Sequence, residues 1–402
     1  SDLILSPRPR RPLWFKQPSV QRTGQKHVHE SPKFRKNHLN LCFFRASVIT
    51  RELARMSSIL HKISPLMPED RVLDPLHEKA GVLIRQATAL LSHGAILEPL
   101  RPLLRAMNSY YTNRIEGQHT RPSDIERALL RQVDSDSEIA RRQRLAVSHL
   151  EAERELEDLW MNRPLTDLYT VDAVSEIHRS LFDRLPPEDR RNEDGEIMIP
   201  GEIRSWPVAV GRHLPPERDK ERYLDAWANG YRSLPTGEKS LIGVAASHHR
   251  LAYIHPFADG NGRTARLHSH LLLYRMQLTG GLWSVMRGMA RRQEEYYRYL
   301  NDADLPRRND LDGRGELSQE GLVQFIDFFL TICTDQVQFM QQMLKLNRLR
   351  EGIRDLLTFL SLHPFQVGSE KSTIKVEGTE ALHYVSLTGP LDRGRFIAMT
   401  GL

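Results

Sequence analysis

Cysteine is scarce: two occur in 402 residues, Cys42 and Cys333, far apart and in unlike surroundings. That excludes a disulfide framework and a cysteine-based metal site. There is no run of about 18 apolar residues, which argues against a membrane span, and no charged, apolar and small-residue succession that would mark a secretory signal. The G-x-x-x-x-G-K-[ST] phosphate loop, the G-x-G-x-x-G dinucleotide fingerprint and the H-E-x-x-H zinc spacing are missing as well. What remains is a globular chain expected in the cytoplasm. Its length suits two or three domains, and 40% hydrophobic residues suffice to bury a core.

Acidic residues are sparse at one end only. The net charge is +6, but residues 1–55 hold twelve of the 57 Lys/Arg and three of the 51 Asp/Glu, so the other 347 residues sum to −3. The stretches "SPRPRRPLWFKQ" and "SPKFRKNH" are broken by prolines and lack periodicity, which reads as a flexible, solvated arm. A nucleic-acid-binding arm is the sharper alternative.

Beyond the arm the pattern is helical. Val82, Leu83, Ala87, Leu90 and Leu91 recur at three- and four-residue spacing. Pro99 and Pro102 interrupt that run, and a segment from Leu103 to Ile115 follows. The stretch "DSEIARRQRLAVSHLEAERELEDLW" opens on Asp136 and Glu138, acids suited to a helix N-terminus. Leu322, Phe325, Ile326, Phe329, Cys333, Val337, Met340 and Leu344 trace an amphipathic stripe. The fold class predicted is all-α. One segment departs from it: "GEIMIPGEIRSWPVAVGRHLPPE", Gly195–Glu217, mixes alternating and β-branched residues between Gly and Pro and predicts a short β-hairpin. The C-terminal "GTEALHYVSLTGPLDRGRFIAMTGL" predicts a helix, a Gly-Pro turn and a second helix from near Asp392. The organisation expected is an arm over 1–55, a helical region over 56–160, a core over 161–345 and a partial helix-turn-helix-like module over 346–402.

Chemistry concentrates in "HPFADGNGRTAR", His255–Arg266, directly after the apolar stretch "LIGVAASHHRLAYI". Pro256 disfavours helix at the residue before it, so the helix should stop at His255. Gly260 and Gly262 allow a tight path into a new helix, whose N-terminal N–H groups and dipole suit phosphate. Arg263 and Arg266 share neighbouring helix surface and can each fork onto phosphate oxygens. Asp259 stands where a Mg²⁺ bound to phosphates would need a carboxylate. Asn261 can hydrogen-bond a phosphate, and His255 can take a proton from an attacking group. Alone, each has a plainer reading: a structural histidine, an ordinary loop, a core anchor at Phe257. Together they point to nucleotidyl or phosphoryl transfer. Zinc held by His248, His249, His255, His268 and His270 is set aside for want of ligand spacing.

This stretch resembles the Fic family signature H-P-F-x-[DE]-G-N-G-R-x-x-R at every specified position. The resemblance spans roughly residues 75 to 345 and implies a helical core carrying a small β-hairpin flap. It implies a protein adenylyltransferase moving AMP from ATP to a Ser, Thr or Tyr hydroxyl of a target protein. His255 would be the general base and Asp259 the Mg²⁺ ligand. Gly260, Asn261 and Gly262 would cradle the phosphates, with Arg263 and Arg266 on the outer ones. Doc-type kinases lack the second glycine of the turn, so Gly262 favours AMP transfer. The segment around Ile203–His213 looks like the family flap that holds the target as an added strand, with Trp206, Val208 and Val210 as contacts or as ordinary packing. "EEYYRYLNDAD" looks like the base-contacting region, Tyr297 foremost, although packing explains it as well.

A second match is "TNRIEG", Thr112–Gly117, which resembles the family's inhibitory motif [ST]-x-x-x-E-[GN]. By that likeness Glu116 pairs with Arg266 and holds the place of the outermost phosphate. A related variant has this glutamate align a water that removes AMP. The last residues resemble the opening of a winged-helix module, so a DNA-binding regulator with a nucleotide-sensing site is the competing class. Partners implied are ATP and the target protein, with a homodimer and nucleic acid as further candidates and no membrane.

Overall fold

A computed structural model describes residues 54–91, 100–130, 132, 134–191, 195–209, 213–344, 346–363, 365–367 and 370–400. Residues 1–53, which include most of the basic arm and Cys42, lie outside that description. The helices begin with α1 over 54–63. Then come α2 (Asp74–Leu91), α3 (Arg101–Ile115), α4 (Pro122–Leu129), α5 (Ser137–Trp160), α6 (Val171–Phe182) and α7 (Lys220–Arg232). They continue with α8 (Glu238–Ile254), α9 (Asn261–Arg275), α10 (Val285–Arg291), α11 (Gln293–Asp304), α12 (Gln319–Met343), α13 (Leu346–Leu362), α14 (Thr379–Thr388) and α15 (Arg393–Thr400).

α8 forms the centre, its apolar residues spread round the helix and its polar Ser247, His248, His249 and Arg250 hydrogen-bonded within the interior. Leu241, Ile242, Val244, Ala245, Ala246, Leu251 and Ile254 are all buried, and a helix whose apolar residues are not confined to one stripe must lie inside. It packs against α2, α7, α9 and α12. α9 is buried from Arg263 to Tyr274 between α5, α6 and α8. The stripe of α12 lies against α2, α8, α10 and α11, with Phe325, Ile326, Phe329, Cys333 and Val337 fully enclosed.

The helix ends follow local chemistry. Asp136 caps α5, accepting the Glu138 and Ile139 N–H groups at 2.9 and 3.1 Å, a contact worth about 1 kcal/mol. α3 begins at Arg101, two residues before the periodicity suggests. Pro102 falls in its first turn, where the missing N–H costs nothing.

Of the stretch Gly195–Glu217, expected as a hairpin, residues 210–212 lie outside the described ones; 195–209 runs as turns and extended chain with one isolated bridge, Ile197 to Arg191, and His213 stands in a further bridge. Pro200, Pro207, Pro215 and Pro216 remove ladder donors. A buried arginine, Arg204, supplies the missing donors, bonding the Trp206 and Pro216 carbonyls at 2.8 and 2.9 Å. Among the described residues an antiparallel hairpin, β1 (Phe365–Val367) with β2 (Glu370–Ser372), follows α13. α14 and α15 come next, and the Arg395 N–H bonds Asp392 Oδ1 at 3.0 Å where α15 starts. Among the described residues no helix is long and apolar enough to cross a membrane.

Candidate active site

α8 stops at His255. This residue adopts the left-handed conformation (φ 49°) while its N–H still reaches Leu251 O at 3.1 Å. That geometry costs an L-residue roughly 1 kcal/mol, and Arg204 holds it. The Arg204 Nε–H donates to His255 O at 2.8 Å, and its main-chain N–H donates to Pro256 O at 2.9 Å. The chain then turns on Asn261: its Oδ1 accepts the Phe257 N–H at 2.8 Å and its Nδ2 donates to Phe257 O at 2.7 Å. Asn261 thus ties the turn shut. Gly260 has φ 76°, and a Cβ there would fall on the ring of Phe182.

His178 of α6 braces the same turn from beneath. Its ring stacks on Phe257 at 3.9 Å. The Gly201 N–H donates to Nδ1 at 2.7 Å, which leaves Nε2 to donate to Asp259 O at 3.0 Å. Burial first, and then the charge on Arg263, hold its pKa down to about 4, so the ring is neutral. Neither Arg204 nor His178 lies in the motif. A lone histidine on an apolar helix and an arginine inside a strand-like stretch carry no sequence signal of this role.

The charged groups gather at the start of α9. Asp259 Oδ1 accepts the Gly260 N–H, and its Oδ2 lies 3.4 Å from Arg263, whose guanidinium also rests on the Phe182 ring at 4.7 Å. Arg266 is buried. Its Nε donates to Thr112 Oγ1 at 2.8 Å, and another N–H reaches Thr112 O at 3.3 Å. Glu116 accepts from the same guanidinium. Burial works against the Arg266 charge, but Glu116 and the nearby Tyr296 and Tyr297 hydroxyls together raise the pKa. A Cβ at Gly262 would fall on Glu116 Oε1, so this glycine is also what lets Glu116 sit over the helix end.

His255, Asn261, Gly262 and Glu116 line two adjoining hollows. One, of about 730 Å³, is walled by Tyr253, Tyr296, Tyr297, Leu300 and Asn301. The other, of about 1130 Å³, is edged by Arg141, Arg191, Arg263 and Asp259 and reaches Val208. Tyr297 donates its hydroxyl to Ile115 O at 2.9 Å, and Gln293 Nε2 donates to the same carbonyl at 3.1 Å. α11 therefore holds the end of α3 just before Glu116. Trp206 offers Arg204 its carbonyl and lines neither hollow; Val210 lies outside the described residues.

Burial, followed by the charge on Arg204, depresses the pKa of His255 to about 4. Its imidazole is neutral at ordinary pH and can accept a proton. The other histidines near the loop serve the core: His248 bonds Ser269 Oγ and Tyr296 OH at 2.8 and 2.9 Å, His249 bonds Leu300 O at 3.0 Å, and His268 bonds Leu168 O at 2.9 Å.

Residues 168–273 match the model of the Fic/DOC family. A protein adenylyltransferase Fic of Nematostella vectensis is 30% identical over 267 residues, 63% of this chain and 55% of its own length. The protein adenylyltransferase fic-1 of Caenorhabditis elegans is 33% identical over 143 residues, 35% of this chain and 25% of its own. The chain thus spans about half, or less, of the curated relatives it matches. Among solved structures, a Fic family protein from Desulfovibrio desulfuricans G20 aligns at TM-score 0.50 and 18% identity, covering 81% of this chain and 84% of its own. A Fic domain containing signaling protein from Bacteroides thetaiotaomicron aligns at TM-score 0.50 and 17% identity, covering 65% and 95%. At those identities the likeness is one of fold. Over residues 168–273 this chain is similar to the Fic/DOC family.

Proposed function

We propose that this chain is a protein adenylyltransferase that moves AMP from ATP to a Ser, Thr or Tyr hydroxyl of a target protein and is held back by Glu116. The observation that carries the reading is a neutral His255 and the N-terminus of α9 facing one cleft, with a removable carboxylate seated on Arg266.

In this reading the base of ATP takes the side of Tyr297 and Leu300. The phosphates lie over the N–H groups of Gly262 and Arg263, where the helix dipole favours negative charge. His255 draws the proton from the target hydroxyl as its oxygen bonds to the α-phosphorus; the bond to the β-phosphate oxygen breaks and pyrophosphate leaves. Asp259, a hard oxygen donor at the lip of the cradle, would hold Mg²⁺, which supplies charge neutralisation across the phosphates. Asn261 keeps the turn in shape. Glu116 and an outer phosphate compete for the same guanidinium fork, so the nucleotide binds in an unproductive pose until the last turn of α3 moves.

The test uses ATP labelled at the α or the γ position. Glu116→Gly raises transfer of the α label about tenfold or more, the worth of one charge-assisted hydrogen bond. Adding His255→Ala removes that transfer, by about 10²-fold or more. Unchanged labelling in both variants rejects the assignment, and transfer of the γ label makes the chain a kinase. Glu116 also borders the cleft beside His255, so it can orient a water for the reverse reaction; loss of AMP from a modified target would show it.

A further inference from the structure

Behind the cleft, α5 presents His149, Glu153 and Glu157 at successive four-residue intervals, on one helix face. Across from them is His270 of α9, and all four side chains are 1% exposed. His270 Nε2 lies 2.7 Å from Glu157 Oε1 and 3.6 Å from Glu153 Oε1. One donor atom each from Glu153, Glu157 and His270 fits within 4.8 Å of the others. As a plain ion-pair cluster the group is incomplete. Both ring nitrogens of His149, Glu153 Oε2 and His270 Nδ1 have no hydrogen-bond partner, although His149 Nδ1 points to within 3.8 Å of that free carboxylate oxygen. Buried polar atoms are rarely left so.

We infer that Glu153, Glu157 and His270, with His149 as fourth donor, form a buried site for a divalent transition-metal ion, Zn²⁺ foremost, that clips α5 to α9. Two imidazoles and two carboxylates are a borderline donor set that suits Zn²⁺, Mn²⁺ or Fe²⁺ over the all-oxygen shells of Mg²⁺ and Ca²⁺. The shell behind the donors is in place. Arg105 of α3 bonds Glu157 Oε2 at 2.6 and 3.0 Å, and Asn108 bonds Glu153 Oε1 at 2.8 Å. Asn108 Oδ1 in turn accepts from Ser284 Oγ at 2.5 Å. Such outer contacts orient metal-bound carboxylates. Binding displaces the proton shared by His270 and Glu157, so it releases acid and weakens as pH falls. The site is separate from Asp259 and does not depend on the proposed reaction.

The test strips the full chain with a chelator, dialyses it against Zn²⁺ and measures bound metal and the unfolding midpoint. About one equivalent resists dialysis in the wild type and in Asp259→Asn. In Glu153→Gln and in His149→Gln, affinity falls about tenfold or more, and the rise in midpoint that Zn²⁺ gives the wild type disappears. Retention of Zn²⁺ by both variants overturns the site, because the ion then sits on other histidines of the 17 in the chain. Equal binding of Mg²⁺ overturns the class of metal. Should the variants not fold, Co²⁺ added to the stripped wild type decides: visible ligand-field bands support the site, and the bare aqueous-ion spectrum overturns it.

Discussion

α9 is tied to α3 at two places, and the ties are built in opposite ways. Near its start, fully buried Arg266 meets Glu116, whose side chain is 29% exposed. Further along, His270 meets Glu157 in the dry interior, and Arg105 of α3 grips that carboxylate from the other side. A carboxylate with one side in water can leave its partner, because water replaces the lost contact. A carboxylate shut between an imidazole and a guanidinium strands both when it goes. Ser109 adds to the fixed end by bonding Ala146 O at 2.6 Å. α3 is therefore anchored at its middle by buried contacts and at its end by a part-exposed carboxylate, the arrangement that the proposed brake on the cleft would need.

Breaking the buried tie should have the largest effect on stability. Glu157→Ala is expected to cost about 3–5 kcal/mol. Glu116→Ala should cost about 1–3 kcal/mol, because Thr112 still holds Arg266. Calorimetry of both variants checks this, and equal losses would erase the contrast between the two ties.

Acid should attack the interior in a graded way. Burial holds His178, His248 and His268 at pKa values of about 4, 3 and 4, against 6.5 for a free imidazole. As pH falls below 6.5 the unfolded chain takes up protons that the folded chain refuses, so stability declines from there toward pH 4. Each histidine contributes a slope of up to about 1.4 kcal/mol per pH unit. Urea midpoints at pH 7 and pH 5 test the sign; a flat profile would mean these rings are accessible.

The mildest expected change sharpens the releasable end. Gln293→Ala removes one donor from Ile115 O while leaving Tyr297 in place. Losing about 0.5–1.5 kcal/mol of latch should raise basal AMP labelling by about two- to tenfold. The unfolding midpoint should barely move. A drop in labelling would show that Gln293 serves the nucleotide instead.

The turn was legible because its demands are local. Pro256 ends α8, Gly260 takes a left-handed step beside Phe182, and the helix that follows brings its N–H groups and arginines with it. Asn261, expected at the phosphates, has a second role that the sequence does not show: its amide closes the turn onto Phe257. The Gly195–Glu217 stretch reads as a hairpin from its alternation, whereas the bonds that Arg204 makes to the Trp206 and Pro216 carbonyls carry no sequence signal. The histidines of α8 and α9 lack the H-E-x-x-H spacing, and the carboxylates that face His270 sit on α5, more than a hundred residues earlier.

By itself, then, the order of residues determined what neighbours in the chain can decide: where helices start and stop, which faces are apolar, and that a phosphate-ready turn follows Ile254. Packing alone decided which distant groups meet. It brought Thr112 onto Arg266 beside the Glu116 that the motif's likeness had already paired there, His178 under Asp259, Arg204 behind His255 and α5 against His270. Backbone geometry is dictated within a few residues, whereas the charge and hydration of a buried side chain depend on whatever the fold places within a few ångströms of it.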